Sequence, residues 1–430
     1  KNQNETKMNS ASLLLLALIA CCCSCYCLAA TASNRFVNFD LHKFTPEQRK
    51  QLQQRTTGQF FAQQQQKQST PINIPSLGNI FPYGIYWVQI QVGTPPRNFN
   101  VAIDTGSGDL LIAGAGCNGC IQNITKYDPK ASSTNTVLSC STNLAHCGSC
   151  SNSHCSFSNS YETCVLNDPS KTCTVSGPVF QDLCTLGGLS TRCVFGSITF
   201  QTKDFQQFHE IDGVMGLANP DAIGAPSIFS SLVNDGKLAN VFSLCFDFQG
   251  GVLTIGGYDK KYINGSIAYT DLEGYYSTSF DSVMVDGRSA STFLKHRVIL
   301  DSGTNTLLLP GDILSKVKVY FRDICSHTKL HGICDVSPGK GLFDRVCFPM
   351  SSSQIAAFPM VEVKLDQKVS LKVPPRNYLV PVNNTYCMGI DESTEFGLLI
   401  IGDVVMKGFY MIMDRGNNRV GWAPLAKGSC

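Results

Sequence analysis

Charge is scarce in this 430-residue chain: Lys, Arg, Asp and Glu make up only 15% of it, and the formal net charge is +2. Gripping nucleic acid through its phosphates needs a basic stripe, and there is none, nor is there an acidic tail. Histidine is thin too, with seven scattered copies. His209-Glu210 has no second histidine in register for a zinc-hydrolase helix, and no Gly-x-Ser-x-Gly elbow occurs. Metalloprotease and serine- or cysteine-hydrolase chemistry are set aside on these grounds. Only one apolar run, residues 13–30, approaches spanning length, so no membrane-embedded mature form is expected.

Glycine (37) and cysteine (21) are plentiful, and the length allows two domains with separate cores. Five cysteines sit in the apolar run as Cys21, Cys22, Cys23, Cys25 and Cys27, followed by Ala30-Thr31-Ala32, a small-x-small cleavage pattern. Residues 1–32 are therefore read as a leader with a cleaved signal peptide, the alternative being a retained signal anchor. An oxidising compartment then awaits the sixteen remaining cysteines. Cys117-x-x-Cys120 and Cys147-x-x-Cys150 have zinc-ribbon spacing, but the cysteines interleaved between 117 and 193 favour a disulfide mesh whose connectivity stays open. Residues 325 and 334 are close enough in sequence to suggest a Cys325–Cys334 bridge. In a secretory chain the sequons at Asn123, Asn264 and Asn383 become glycosylation candidates.

The centre of the sequence is a repeated pattern: Val101-Ala102-Ile103-Asp104-Thr105-Gly106-Ser107 and Val298-Ile299-Leu300-Asp301-Ser302-Gly303-Thr304. Each copy reads as the end of a buried strand opening into a tight glycine loop. A carboxylate there is costly to bury without donors. Ser107 and Thr304 are placed to donate, and Gly106 and Gly303 leave amides accessible. If the two loops meet about a pseudo-two-fold axis, Asp104 and Asp301 share one proton, and the pair can act as acid and base together. No metal, cofactor or covalent intermediate is then required. Gly114-Ala115-Gly116-Cys117-Asn118-Gly119 fits a dinucleotide-binding glycine pattern by letter, but no amphipathic helix follows, so it is discarded.

On five stretches in order, the chain resembles the pepsin-like aspartic endopeptidases: YWVQIQVGTPPRNFNVAIDTGSGD from Tyr86, IDGVMGLA from Ile211, VFSLC from Val241, VILDSGTNTLLLP from Val298 and IIGDVVMKGFYMIMDRGNNRVGWAP from Ile400. Its cysteine-rich first half is similar to the nepenthesin-like branch. The resemblance implies a mostly β, bilobal fold, two pseudo-symmetric lobes with a cleft between them and a few short helices. It implies a leader at 1–32, a propeptide-like segment at 33–76 that inhibits its own enzyme, an N-terminal lobe at 77–248 and a C-terminal lobe at 249–430. Asp104 and Asp301 would be catalytic, supported by Thr105, Gly106, Ser107, Ser302, Gly303 and Thr304. Lys67 would lie over the pair in the zymogen, unless it is an ordinary solvated lysine.

The resemblance also implies a Cys347–Cys387 bridge, which leaves Cys245 and Cys430 as a pair. Tyr161 falls where the family's flap tyrosine stands, although an insertion interrupts the usual hairpin tip. Leu111 replaces the tryptophan that often braces that tyrosine, which puts the bracing in question. The implied protein is a monomeric protease of protein or peptide substrates, working at acidic pH outside the cell or in a lysosome- or vacuole-like compartment. The competing reading is a non-catalytic peptide-binding or inhibitor protein on the same scaffold.

Local patterning predicts strands at 86–92, 98–103, 252–255, 276–285, 360–365 and 410–414, and helices at 226–234 and 311–324. An edge-like strand at 36–44 and a polar helix at 45–54 are expected before them.

Overall fold

A computed structural model describes residues 70–80, 84–145, 147–161, 173–202, 211–218, 226–248, 250–274, 276–290, 297–393, 398–426 and 430. The leader, the expected strand and helix at 36–54, and Lys67 lie outside these residues. Strands dominate, gathered into one long sheet path, a second eight-stranded sheet and a small hairpin.

The architecture follows from what each strand buries. Arg97–Asp104 begins with two exposed residues and ends in four buried ones, VAID. It is exposed where it begins and buried on both faces where it enters the core, apolar up to the closing aspartate. Its echo Arg297–Leu300 does the same job in the second half. Between each aspartate strand and its successor threads a third, short strand. Gly213–Gly216 runs parallel to Arg97–Asp104, pairing Gly216 with Asp104, and antiparallel to Leu110–Asn118. Leu398–Ile401 runs parallel to Arg297–Leu300, pairing Ile401 with Leu300, and antiparallel to Leu307–Leu309. The fold is thus bilobal and mostly β, each lobe built on the same three-strand crossing beneath its aspartate.

A shared layer joins the lobes: Ala268–Asp271, Arg419–Pro424, Phe409–Asp414, Val241–Asp247, Gly250–Ile255 and Ile72–Asn79, in that order. Val241–Asp247 and Gly250–Ile255 form a hairpin whose ends pair Asp247 with Gly250, so the lobe boundary expected at 248/249 falls at its turn. The boundary expected at 76/77 falls inside a strand instead. Ile72 to Ser76 pair with Gly250–Ile255, and Leu77 to Asn79 pair with Ile85–Val92. Each half of this strand has one partner there, and this is what lets Pro75, which has no N–H, sit within it.

The helix Gly311–Ile324 buries Ile313, Leu314, Val317, Phe321 and Ile324, one helical face. The helix Ile228–Asn234 starts later than its sequence suggests. Ser227 caps it by accepting from Ser230 N at 3.1 Å, which leaves Pro226 ahead of the cap.

Disulfides among the described residues join Cys117–Cys120, Cys140–Cys150, Cys147–Cys155, Cys184–Cys193, Cys245–Cys430, Cys325–Cys334 and Cys347–Cys387. The four residues of the zinc-ribbon-like spacing are all spent in such bonds. Cys245–Cys430 closes the longest loop, with a sequence separation of 185, and ties the C-terminus to the shared layer. Replacing both cysteines with alanine is expected to cost about 2–5 kcal/mol of unfolding free energy, read from urea titrations. An unchanged midpoint would show that the unfolded chain gains nothing from the lost link.

Candidate active site

Asp104 ends its strand and is buried. Its Oδ1 accepts from Gly106 N at 2.8 Å, and its Oδ2 accepts from the Ser107 hydroxyl. Asp301 repeats the arrangement: Oδ1 accepts from Gly303 N at 2.8 Å and Oδ2 from Thr304 Oγ1 at 2.6 Å. The residues three positions on from each aspartate therefore make the bonds their spacing suggests.

Thr105 and Ser302 do something the spacing alone does not reveal. Each reaches into the opposite loop. Thr105 Oγ1 donates to Leu300 O at 2.8 Å and accepts from Ser302 N at 2.9 Å. Ser302 Oγ donates to Ile103 O at 2.8 Å and accepts from Thr105 N at 3.1 Å. Both side chains are fully buried. Four hydrogen bonds closed in a ring leave no unpaired polar atom there, so the two loops are held in one register.

That register brings the carboxyls together. A Cβ on Gly106 would stand 2.4 Å from Asp301 Oδ1, and one on Gly303 would stand 2.7 Å from Asp104 Oδ1. Any side chain at either glycine would displace the facing aspartate. The two carboxyls thus face each other across the loops, and carboxyls this close are favoured with one proton between them. Burial first, and the neighbouring Asp301 charge second, push the Asp104 carboxyl up to about 7 against the opposing bonds from Ser107 and Gly106. Asp104 therefore stays protonated further up the pH scale than an ordinary carboxyl.

Above Asp104 lies Tyr161, the last residue of the strand His154–Tyr161. Its hydroxyl lies against Ser107 and Asn159 and feels the carboxylates of Asp104 and Asp109. Tyr161 also lines an apolar pocket open to solvent, together with Ile85, Ala102, Leu111, Ile211 and Val214 among others. Leu111 shares this lining with Tyr161 and presents only methyl groups to it.

One residue with a stake in the site went unnoticed in the sequence. Asp403 is fully buried, and neither carboxyl oxygen has a hydrogen-bond partner among the described residues. Burial, reinforced by Asp301 and then Asp104, drives its carboxyl well above the usual carboxylate range, with Lys407 opposing. Other buried aspartates are satisfied: Asp182 accepts from Tyr127, Thr134 and Leu183, and Asp212 from Asn100 and Thr125. The signal lay in the duplication. Val214-Met215-Gly216-Leu217 in one thread corresponds to Ile400-Ile401-Gly402-Asp403 in the other, so an acid stands where symmetry offers a leucine.

The sequon residues Asn123, Asn264 and Asn383 are all exposed. No group of three or more metal-binding side chains clusters among the described residues.

Two crossed aspartate loops over paired threads define a class of enzyme. A family model described as eukaryotic aspartyl protease matches residues 85–154 and 150–425, and the chain belongs to that family. It is an aspartic-type endopeptidase. Among curated relatives, it is similar to pepsin A of Bos taurus, 27% identical over 355 residues that cover 79% of this chain and 84% of that protein. Pepsin A of Sus scrofa is 27% identical over 355 residues, covering 79% and 81%. Embryonic pepsinogen of Gallus gallus is 27% identical over 348 residues, covering 79% and 80%.

Proposed function

We propose that this enzyme is a secretory-pathway endopeptidase that works in acid, with Asp104 and Asp301 as its catalytic pair. The observation that carries the reading is the close facing of two carboxyls whose loops are locked by the Thr105–Ser302 ring. With one proton on the pair, the ionised carboxylate takes a proton from a bound water while the water oxygen attacks the peptide carbonyl carbon. The neutral carboxyl gives its proton to the carbonyl oxygen, which yields a gem-diol. The carboxyls then act in the reverse sense. One accepts a hydroxyl proton as the carbonyl re-forms, the other protonates the amine nitrogen, and the C–N bond breaks. Ser107 and Thr304 hold the outer oxygens, so each carboxyl keeps its plane through both steps.

Tyr161 closes the groove over Asp104 and excludes bulk water. The segment 33–76 is assigned as an inhibitory propeptide with Lys67 opposite the pair, although its last residues already belong to the described sheet. The exposed sequons suit glycosylation, and a cleaved leader suits delivery to the exterior or to a lysosome- or vacuole-like compartment. No helix among the described residues is long and apolar enough to cross a membrane.

Purified protein freed of its propeptide is expected to cleave denatured haemoglobin or casein between about pH 3 and 6 and to be stopped by a pepstatin-type inhibitor. Intact substrate throughout that range, with no inhibitor binding, would leave only a peptide-binding scaffold.

A further inference from the structure

Two hollows adjoin the first aspartate loop, and Leu111 lines both. The apolar pocket beside Tyr161 includes one acid, Asp212, but both of its oxygens are spent on the backbone N–H groups of Asn100 and Thr125. The other hollow, a recess of about 260 Å³ open to solvent, includes Asp109. There Oδ2 accepts from the Asn159 amide nitrogen at 2.7 Å, and Oδ1 has no hydrogen-bond partner among the described residues. Apolar walls surround this acid, made by Leu110, Phe157, Val194 and Phe195. Ala145 and Gly148 close the recess from a segment pinned by Cys140–Cys150 and Cys147–Cys155.

Asp109 sits close to the chemistry. Its carbonyl oxygen accepts from Gly216 N at 2.9 Å, and Gly216 pairs in register with Asp104. The Tyr161 hydroxyl feels the carboxylates of both aspartates. A peptide held for cutting at Asp104 thus has the recess within reach of a neighbouring side chain.

We propose that this recess binds a lysine side chain of the substrate, its stem against the apolar walls and its ammonium on Asp109 Oδ1. A long aliphatic stem with a charged tip suits a hollow that is apolar along its sides and acidic at one point. With one oxygen already engaged, a compact ammonium fits better than the planar fork of arginine, which is satisfied by two. Asp109 is then a specificity-determining residue, and the inference rests on the catalytic reading given above.

Burial raises the Asp109 carboxyl, and the bond from Asn159 opposes the rise. Asp109 is the one titratable group among the described residues lining the recess. Tyr161 faces it from the strand His154–Tyr161 and is held neutral by burial, and Asp104 bears on the same hydroxyl from the loop side. The attraction for lysine follows the ionised fraction of Asp109, so it is weak in strong acid and grows as pH climbs through the raised value.

The test is a peptide set carrying lysine or norleucine, which has the same length without the charge, in turn at each position around the cut. The reading is the lysine-to-norleucine ratio of kcat/KM, so that titration of the catalytic pair cancels. At one position wild type should favour lysine by about tenfold at pH 6, the gain expected for a hydrogen bond to a charged partner, and by no more than about twofold at pH 3.5. Asp109→Asn, whose carboxamide oxygen still accepts from Asn159, should bring the pH 6 ratio to about one. Should that variant fail to fold, Ala145→Leu narrows the recess from its other wall and should lower the ratio in the same way.

A ratio near one at every position, a ratio that is flat or falls with rising pH, or one that survives in a folded variant would each overturn the lysine site. Wild-type protein that cuts casein and the norleucine peptides without favouring lysine loses the site alone. Protein that cuts no peptide and no casein loses the catalytic reading, and the lysine site with it.

Discussion

Asp301→Asn is expected to lower kcat by at least about ten-thousand-fold while the protein stays folded. The carboxamide oxygen can still accept from Gly303 N, and its nitrogen can donate to the Thr304 hydroxyl, which turns its own hydrogen elsewhere, so the loop keeps its shape. What it cannot do is carry the proton that must move in both steps. Removing that acid also removes the charge that helps hold the Asp104 carboxyl up, so Asp104 should titrate lower and ionise earlier. A lone ionised aspartate can accept from water but has no neutral partner to protonate the carbonyl oxygen. Steady-state rates on a chromogenic peptide, taken beside a thermal melt, separate lost chemistry from lost structure. Turnover within tenfold of wild type, at an unchanged melting temperature, would remove the pair from the mechanism.

The second large effect is on stability against pH. Asp104 and Asp403 are both raised in the folded state, and Asp109 and Asp212 move the same way. For a carboxyl raised on folding, the native state binds more protons than the unfolded chain between the unfolded and folded values. The stabilisation is complete below the ordinary carboxyl value and is lost as pH climbs through the folded one. For Asp104, moving from 3.8 to about 7 corresponds to on the order of 4 kcal/mol.

Groups moved the other way, Asp235, Asp259 and Asp335, face solvent more and oppose this only weakly. Lys407, lowered by burial to about 8, changes protonation above this window. The protein should therefore be most stable near pH 4 and lose roughly ten degrees of melting temperature by pH 7.

Asp403 can be isolated within that trend. In the inactive Asp301→Asn background, which avoids self-digestion, adding Asp403→Asn should leave the pH 4 melt nearly unchanged and raise the pH 7 melt. The groups that bear on Asp403 are Asp104, Asp301, Lys407 and Tyr86, and none offers it a hydrogen bond among the described residues. If the two backgrounds melt alike at pH 7, its carboxyl is not being ionised at any cost to the fold.

Both aspartate loops and the helix Gly311–Ile324 were legible because their information is local: an apolar triplet, a glycine, a hydroxyl at fixed spacing, one helical stripe. Thr105 and Ser302 were visible as loop members, but their bonds cross to the other half of the chain and no local pattern records them. Asp403 was hidden for a related reason: a buried unpaired acid looks, in sequence, like any aspartate at a helix start. The bond from Asn159 to Asp109 escaped because a strand residue and a loop residue fifty positions apart meet only in the folded chain. Pairings in the cluster from Cys117 to Cys193 could not be read, since several connectivities fit the same spacings. The extent of Ile72–Asn79 was obscured by Pro75, whose tolerance depends on which neighbour is missing.

The exchange of hydroxyls between loops carries a consequence for how such a molecule could have arisen. Each half needs from its counterpart an oxygen it does not itself possess in place: Thr105 serves Leu300, and Ser302 serves Ile103. A solitary half would leave its own threonine or serine without an acceptor and its aspartate without a second acid. Two identical halves, docked face to face, would supply each other with both. The covalent joining of the halves in this chain then freed them to diverge, and the acid at Asp403 opposite the leucine at Leu217 is the kind of difference that only a joined pair can accumulate.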